Sequence, residues 1–564
     1  MKELTVASVV AEALAAAGVP RIYGIIGTSI IDFVDTLLDY RSEIDFVTTR
    51  HEQVAVSAAD AEARVRGTPS AAAVHAGPGF LNSMLSLGIA YRDRIPVILV
   101  TGAVRRRLAG TDAWLEVDQE SIASPISKGF YSIRDPSDAP EAMVEAVREA
   151  VTPPRGPVVV EVREDIWKSR VSVPDDYRAR VSEALAVEEP GGSEGGFAST
   201  VEELLQDSSR PLILACGELA LDPHFKQEDL LELAERLGAY IVTSGNGRGA
   251  CPEDHPRCLG RVGFGGGSTA ADQAFARSDL LIVLGNEFDD ITTYAYTLMP
   301  EGEIVVASLD PSVEKRPPYY EHFKSSPLKA LKELLSRIKG RASDRGEWDR
   351  LVAEARRGWE ALLDSALHRE YRGLPNPARF FKALDEALPR SRILTAGQGT
   401  HILYTYSFMR VYRPRSFLAA TNLGAMGYAF PAAIGAALAG GERVVAVVGD
   451  GDFMMTVQDL ETLKREGVKA GVVVVNDNSY KVLYLRQILQ LGGRVYETLL
   501  GNPDFELLAK AFDLEFVRVS SDSDIGRAVE RLASGDSQVL VELPVSKDDV
   551  PPLDMEYTLK MSSV

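Results

Sequence analysis

Short runs of apolar residues alternate along this chain with longer stretches whose apolar positions recur at helical spacing. From residue 1 to about 170 the runs RIYGII, SAAAVHAG, IPVILVTG and GPVVVEV read as strands of parallel βα units, and DFVTTRHEQ as a strand end leading into a helix. A second set, PLILACG, AYIVTSG, DLLIVLG and EIVVASLD, continues to about residue 340. A charged stretch over 339–372 is helical in pattern, and GLPNP (373–377) breaks it before a third set, SRILTAG, ERVVAVVGDG, KAGVVVVND and SQVLVELP. Such runs predict an α/β protein of three doubly wound parallel-sheet domains, bounded at 1–175, 190–340 and 370–564. EEPGGSEGGFAST (188–200) combines acidic residues with glycines and reads as a solvated connector. The first and third sets share the look of strand, glycine turn, helix, without a residue-level repeat.

Length and composition sharpen this picture. At 564 residues the chain is too long for one hydrophobic core, and its 45% hydrophobic, 25% charged composition is that of a globular protein. A formal net charge of −20 argues against nucleic acid or an anionic membrane as the main partner. The N-terminal MKELTVASVVAEALAAAG predicts an amphipathic helix, with Glu3 and Glu12 interrupting any signal-peptide core. No stretch has the apolar length of a membrane span, so a cytoplasmic location is expected. Cys216, Cys251 and Cys258 lack zinc-ligand spacing, and their odd number suits packing in a reducing compartment better than a disulfide framework.

Candidate chemistry concentrates in the third set. In ERVVAVVGDGDF a buried-type strand runs into Gly449, Asp450 and Gly451, and the helix-like TVQDLETLKREG follows with Thr456 and Asp459 spaced as a capping box. The next strand ends at Asn476, Asp477 and Asn478. Consecutive strands of a βαβ unit end on the same sheet edge, so Asp450 and Asp477 can converge there. Magnesium takes one or two carboxylates completed by other oxygens, and glycines at 449 and 451 allow a diphosphate close to backbone amides. By itself a Gly-Asp-Gly is more often merely a tight turn with a capping aspartate; the second acidic strand end at βαβ spacing points instead to a metal–diphosphate site.

With its Asn-rich end, GDGDF…VVNDN resembles the thiamine diphosphate motif, and similarity to the acetolactate synthase branch of that enzyme family extends over nearly the whole chain. The resemblance implies an N-terminal pyrimidine-binding domain, a central domain and a C-terminal diphosphate-binding domain. It implies thiamine diphosphate and Mg2+ as cofactors, with Asp450, Asp477 and the backbone carbonyl of Ser479 as metal ligands. Gly449, Gly451 and Asp452 would stand beside the cofactor, as would Gly399, Thr400 and His401 of TAGQGTH. The family usually has Asn at position 477 and a small residue at 452. NLGAMGYAFPAAIGAALA (422–439) resembles the segment holding the aminopyrimidine ring, with Gly424 accepting from its amino group and Met426 bending the cofactor. Glu52, in RHEQ, matches the glutamate that hydrogen-bonds pyrimidine N1′ and so promotes deprotonation of thiazolium C2. In this family the two halves of the site come from different chains, so the resemblance implies a homodimer or homotetramer with active sites at the dimer interface.

The same resemblance places Gly27, Leu115, Val482 and Arg486 at the substrate pocket, for a small 2-oxo acid or acyl substrate. Leu115 occupies a glutamine position and Arg486 a tryptophan position of the synthases; on a surface, Arg486 would more ordinarily salt-bridge. His75, in AVHAGPGFLN, stands where the synthases carry a hydroxyl residue, and is a candidate proton shuttle or a structural histidine. LGNEFDD (284–290) resembles a stretch that contacts FAD, with Glu287 in place of its usual arginine. The expected reaction is decarboxylation of a 2-oxo acid with carboligation to a second carbonyl. GPGFLN (77–82) also resembles oxalyl-CoA decarboxylase and acyl-CoA lyases, which is a second reading. A catalytically silent regulatory paralogue is the non-enzymatic one.

Overall fold

The computed structural model describes residues 1–187, 196–265, 267–317, 320–340, 345–441, 443–536 and 538–552. Three six-stranded, all-parallel sheets form the framework. The first holds β2 (Arg21–Gly24), β3 (Asp45–Thr48), β4 (Ser70–Val74), β5 (Val97–Ala103), β6 (Gly129–Ile133) and β7 (Val158–Arg163), in the order β3-β2-β4-β5-β7-β6. Before and after it, β1 (Lys2–Thr5) and β8 (Arg170–Val173) pair antiparallel. The predicted N-terminal helix therefore begins only at Val6, where the Thr5 side chain caps the Ser8 amide.

The second sheet comprises β9 (Pro211–Ala215), β10 (Tyr240–Thr243), β11 (Cys258–Arg261), β12 (Leu280–Leu284), β13 (Glu303–Ala307) and β14 (Glu321–Phe323), ordered β11-β10-β9-β12-β13-β14. The third has β15 (Ile393–Ala396), β16 (Phe417–Leu418), β17 (Val444–Gly449), β18 (Ala470–Asn476), β19 (Glu515–Arg518) and β20 (Val539–Pro544), ordered β16-β15-β17-β18-β20-β19. First and third sheets thus share one strand order, the internal likeness that no residue repeat revealed. The central sheet has the other common doubly wound order. In each, strand order reverses beside the first strand, between β2 and β4, β9 and β12, and β15 and β17, where such folds leave a crevice at the C-terminal strand ends.

The reason the strands read as unbroken apolar runs is visible in the central sheet. Ile213, Ile282 and Val305 enter one core cluster, while their neighbours Leu212, Leu281 and Ile304 enter another on the opposite face. With helices on both faces, nearly every position along such a central strand is buried. Short edge strands with fewer apolar residues, such as β6, β14, β16 and β19, were not legible.

The chain forms two compact units: Met1–Glu189 with Asn422–Gly441 and Thr456–Val468, and Pro190–Thr421 with Glu442–Met455 and Lys469–Val564. In the first unit the helix Ala429–Leu438 lies against the helix Glu52–Arg66, so close that a Cβ on Gly435 would strike the Ala58 carbonyl. The Tyr428 hydroxyl donates to Asp60, whose carboxylate also pairs with buried Arg64.

Three expectations need correction. Of the proposed connector 188–200, residues 196–200 belong to the helix Gly196–Leu205, whose Phe197, Ala198 and Val201 are buried; 188–195 lie outside the described residues. Cys251 and Cys258 form a disulfide with Cα atoms 6.1 Å apart, and only Cys216 is free and buried. Cysteine count alone did not reveal that the chain turns back after Cys251 to bring the pair together. Thr456 makes no side-chain cap bond among the described residues; Asp459 instead accepts from the Arg50 amide and the Thr462 hydroxyl. No helix among the described residues is long and apolar enough to cross a membrane.

Candidate active site

In the second unit, β17 and β18 run in register, with Gly449 opposite Val475, so Asp450 and Asn476 leave the sheet side by side. Gly449 ends its strand and Asp450 begins the short helix Asp450–Phe453. Both Asp450 and Asp477 have carboxyls raised by burial, Asp477 to about 6, and the charge of Asp450 adds to the rise at Asp477. Two like charges withdrawn from water at one edge call for a cation, and the oxygen-rich set fits a hard divalent ion. The Ser479 hydroxyl donates to Asp477 Oδ1 at 2.6 Å, holding the loop that carries the Ser479 backbone. Asn502, which no motif flagged, donates its amide to Asp450 Oδ2 at 2.6 Å and lies 3.0 and 3.1 Å from the Asn476 and Asn478 oxygens.

Across the reversal point from β17, the turn after β15 carries Gly397, Gly399, Thr400 and His401. Gly399 has a φ of +157°, and Thr400 opens the helix Thr400–Phe408. His401 is buried and its basicity is pushed down to about 3, so the ring is neutral. Its Nε2 has no hydrogen-bond partner among the described residues and lies 3.9 Å from Asp452 Oδ2. A Cβ on Gly449 would come within 2.9 Å of the His401 ring, and one on Gly451 within 2.8 Å of Tyr480. These two glycines thus admit neighbouring side chains as well as opening the backbone. An unpartnered buried imidazole nitrogen between two glycine turns fits a diphosphate in this crevice.

The first unit gathers the remaining candidates. Glu52 is the first residue of the helix Glu52–Arg66, capped by His51, and is 8% exposed. Asn82, also unflagged by motif, donates to Glu52 Oε2 at 3.0 Å. Gly79 separates Glu52 from His75: a Cβ there would lie 3.1 Å from Glu52 Oε1 and 3.2 Å from His75 Cβ. His75 follows β4, and its Nδ1 receives both the Ser29 hydroxyl at 2.7 Å and the Ser29 amide at 3.3 Å. The neutral ring therefore carries its proton on Nε2. Burial lowers the His75 pKa, against the opposing charges of Glu164 and Glu52. Gly27 packs directly on the His75 ring. Gln53 donates to the Gly427 carbonyl at 3.3 Å, tying the start of the Glu52 helix to the loop with Gly424 (φ +69°) and half-buried Met426.

Two pocket candidates are solvent-facing in the described chain. Arg486 is exposed on the helix Lys481–Gln490 and donates to Gln490, and Val482 is 49% exposed. Leu115 takes a left-handed φ of +75°, and its backbone crowds Gly77, where a Cβ would lie 2.8 Å from the Leu115 carbonyl oxygen.

Three models of one family match the chain: the N-terminal TPP binding domain of thiamine pyrophosphate enzymes over residues 4–122, their central domain over 198–332 and their C-terminal TPP binding domain over 397–543. The chain is 30% identical to a probable acetolactate synthase large subunit of Methanocaldococcus jannaschii, covering 97% of this chain and 93% of the relative. It is likewise 30% identical to an acetolactate synthase of Mycobacterium bovis (97% and 89% covered) and to the chloroplastic acetolactate synthase 2 of Zea mays (88% and 78%). The chain belongs to the thiamine pyrophosphate enzyme family, in its acetolactate synthase-like branch. It is an enzyme of that class.

Proposed function

We propose that this protein is a thiamine diphosphate- and Mg2+-dependent carboligase that decarboxylates a 2-oxo acid and joins the remaining acyl unit to a second carbonyl. The observation that carries the metal–diphosphate assignment is the pair of carboxylates, buried Asp450 and half-buried Asp477, at adjacent strand ends beside the crevice holding His401. The names of the relatives supply the reaction class. When bound, the cofactor supplies the carbon nucleophile and takes up the electrons released on decarboxylation.

The chain's own residues would then do the following. Asp450, Asp477 and the Ser479 carbonyl hold the metal, and Gly399, Thr400, His401 and the Gly449–Asp452 turn receive the diphosphate. Glu52 holds a proton at the pyrimidine nitrogen, kept in place by Asn82. Gly424 and Met426 seat the ring. His75, with its proton on Nε2, donates to or accepts from the reacting oxygen. Gly27, Leu115, Val482 and Arg486 border the substrate. We place the complete site at the interface of a homodimer; the exposed Val482, Leu483, Ile488 and Leu489 of one helix support a covering partner.

The test is to follow carbon dioxide release and product formation from a panel of 2-oxo acids with thiamine diphosphate and Mg2+. Acetolactate from pyruvate is the expected result. Turnover confined to CoA thioesters would replace this reading with the acyl-CoA lyase one.

A further inference from the structure

The central domain presents its own anion at the place where a doubly wound domain ordinarily receives a ligand's phosphates. Strand order reverses between β9 and β12, and a dinucleotide in such a fold lays its diphosphate there, on the amide at the start of the helix after the first strand. In this chain that amide belongs to Gly217, first residue of the short helix Gly217–Ala220, and it donates to Glu287 Oε2 at 2.7 Å. Glu287 comes from the loop after β12, on the other side of the same reversal point. The Ser244 hydroxyl, at the end of β10, donates to the same oxygen, and the Asn246 amide donates to Oε1 at 3.1 Å. Glu287 is only 3% exposed.

The neighbouring donors are absorbed in the same manner. Glu218 accepts the Ser308 hydroxyl and the Leu309 amide at the end of β13. Asp310 accepts from Asn286 at 2.7 Å. Asp289, half-buried two residues beyond Glu287, has its carboxyl raised to about 6 by desolvation, with Glu287 among the charges that raise it. A diphosphate entering here would meet a buried carboxylate in place of free donors.

We infer that Glu287 closes the crevice of the central sheet to a dinucleotide, so that this enzyme carries no FAD although its acetolactate synthase-like sequence raises that expectation. The residues present do not fit the group: the donors that would hold its phosphates are bound by Glu287, and its charge would oppose theirs. Glu287 thus acts as a fixed internal substitute for the phosphate, satisfying the Gly217 amide and locking the ends of β9, β10 and β12 together.

The experiment uses the whole protein saturated with thiamine diphosphate and Mg2+, so that the catalytic diphosphate site is occupied. Bound flavin is measured by its absorbance after denaturation, and FAD and ADP binding by fluorescence and thermal shift, for the native chain and for Glu287→Ala. The native protein should release no flavin and show no shift with either ligand. Glu287→Ala, whose donors are freed, should bind FAD at least about tenfold more tightly than the native protein does. Glu287→Gln, which keeps the shape without the charge, should gain in the same direction and serves if the alanine variant does not fold. Stoichiometric flavin on the native protein would overturn the inference. Equal FAD affinity in native and variant proteins would overturn it too, as would no binding by any of them, because something other than Glu287 would then close the edge. None of these readouts depends on the catalytic assignment, which is tested separately by thiamine diphosphate binding.

Discussion

Asn502 holds Asp450 from outside the motif that presents it, with its side-chain nitrogen 2.6 Å from Asp450 Oδ2 and also in reach of the Asn476 and Asn478 oxygens. One amide thus spans the ends of β17 and β18. Outer partners of this kind orient metal ligands and typically change metal affinity 10- to 100-fold when removed. Asn502→Ala should therefore raise the Mg2+ concentration for half-maximal activity by about tenfold while leaving the fold intact. An unchanged Mg2+ titration would show that Asp450 is positioned without Asn502.

Glu52 and Asn82 make a graded pair. Replacing the carboxyl in Glu52→Gln removes the proton exchange assigned to it, and turnover should fall by at least ~100-fold with circular dichroism unchanged. Asn82→Ala leaves the carboxyl but not its 3.0 Å hydrogen bond, so a smaller loss of about tenfold is expected, in kcat more than KM. Full activity of Glu52→Gln would remove Glu52 from the mechanism.

The Ser29 contacts make the role of His75 testable. Ser29→Ala removes the hydroxyl that helps fix Nδ1 as the acceptor, and the ring can then take its other tautomer. If His75 carries a proton in the reaction, His75→Ala and Ser29→Ala should both lower kcat and shift the acidic limb of its pH profile. Native rates in His75→Ala would leave the histidine a packing role under Gly27.

Asp459 gives a pH dependence whose sign is fixed by burial. Its carboxyl is raised from 3.8 to about 6, so the folded chain retains a proton that the unfolded chain has released. Stability from this group is fully present below about pH 4 and is lost as pH rises through about 6, by roughly 2–3 kcal/mol for a shift of this size. Chemical denaturation at pH 4.5 and 7 (roughly either side of that titration) should show a smaller loss in Asp459→Asn than in the native protein. Equal losses would mean that Asp459 is ionised in the folded state at both values.

The apolar runs identified the long central strands because strands buried on both faces admit little but apolar residues. Spacing then placed Asp450 and Asp477 on one edge, since consecutive parallel strands end on the same side. Less was legible where the determining neighbour is distant in the chain. Nothing local marks Asn82, Ser29 or Asn502 as partners of Glu52, His75 and Asp450, because their separations of 30, 46 and 52 positions are bridged only by packing.

Three α/β domains, the convergence of Asp450 and Asp477 on one sheet edge and the kinship with thiamine enzymes were all legible in the sequence, because periodicity and short motifs are written locally. The shared strand order of the first and third sheets, the Cys251–Cys258 pairing and the Ser29-fixed tautomer of His75 came instead from long-range packing. Packing likewise fixes what Glu287 does: a glutamate after a strand is open to solvent, ligand or backbone, and burial against the Gly217 amide selects among them. Which donors a carboxylate meets is a property of strand order and close approach, which no single stretch of chain encodes.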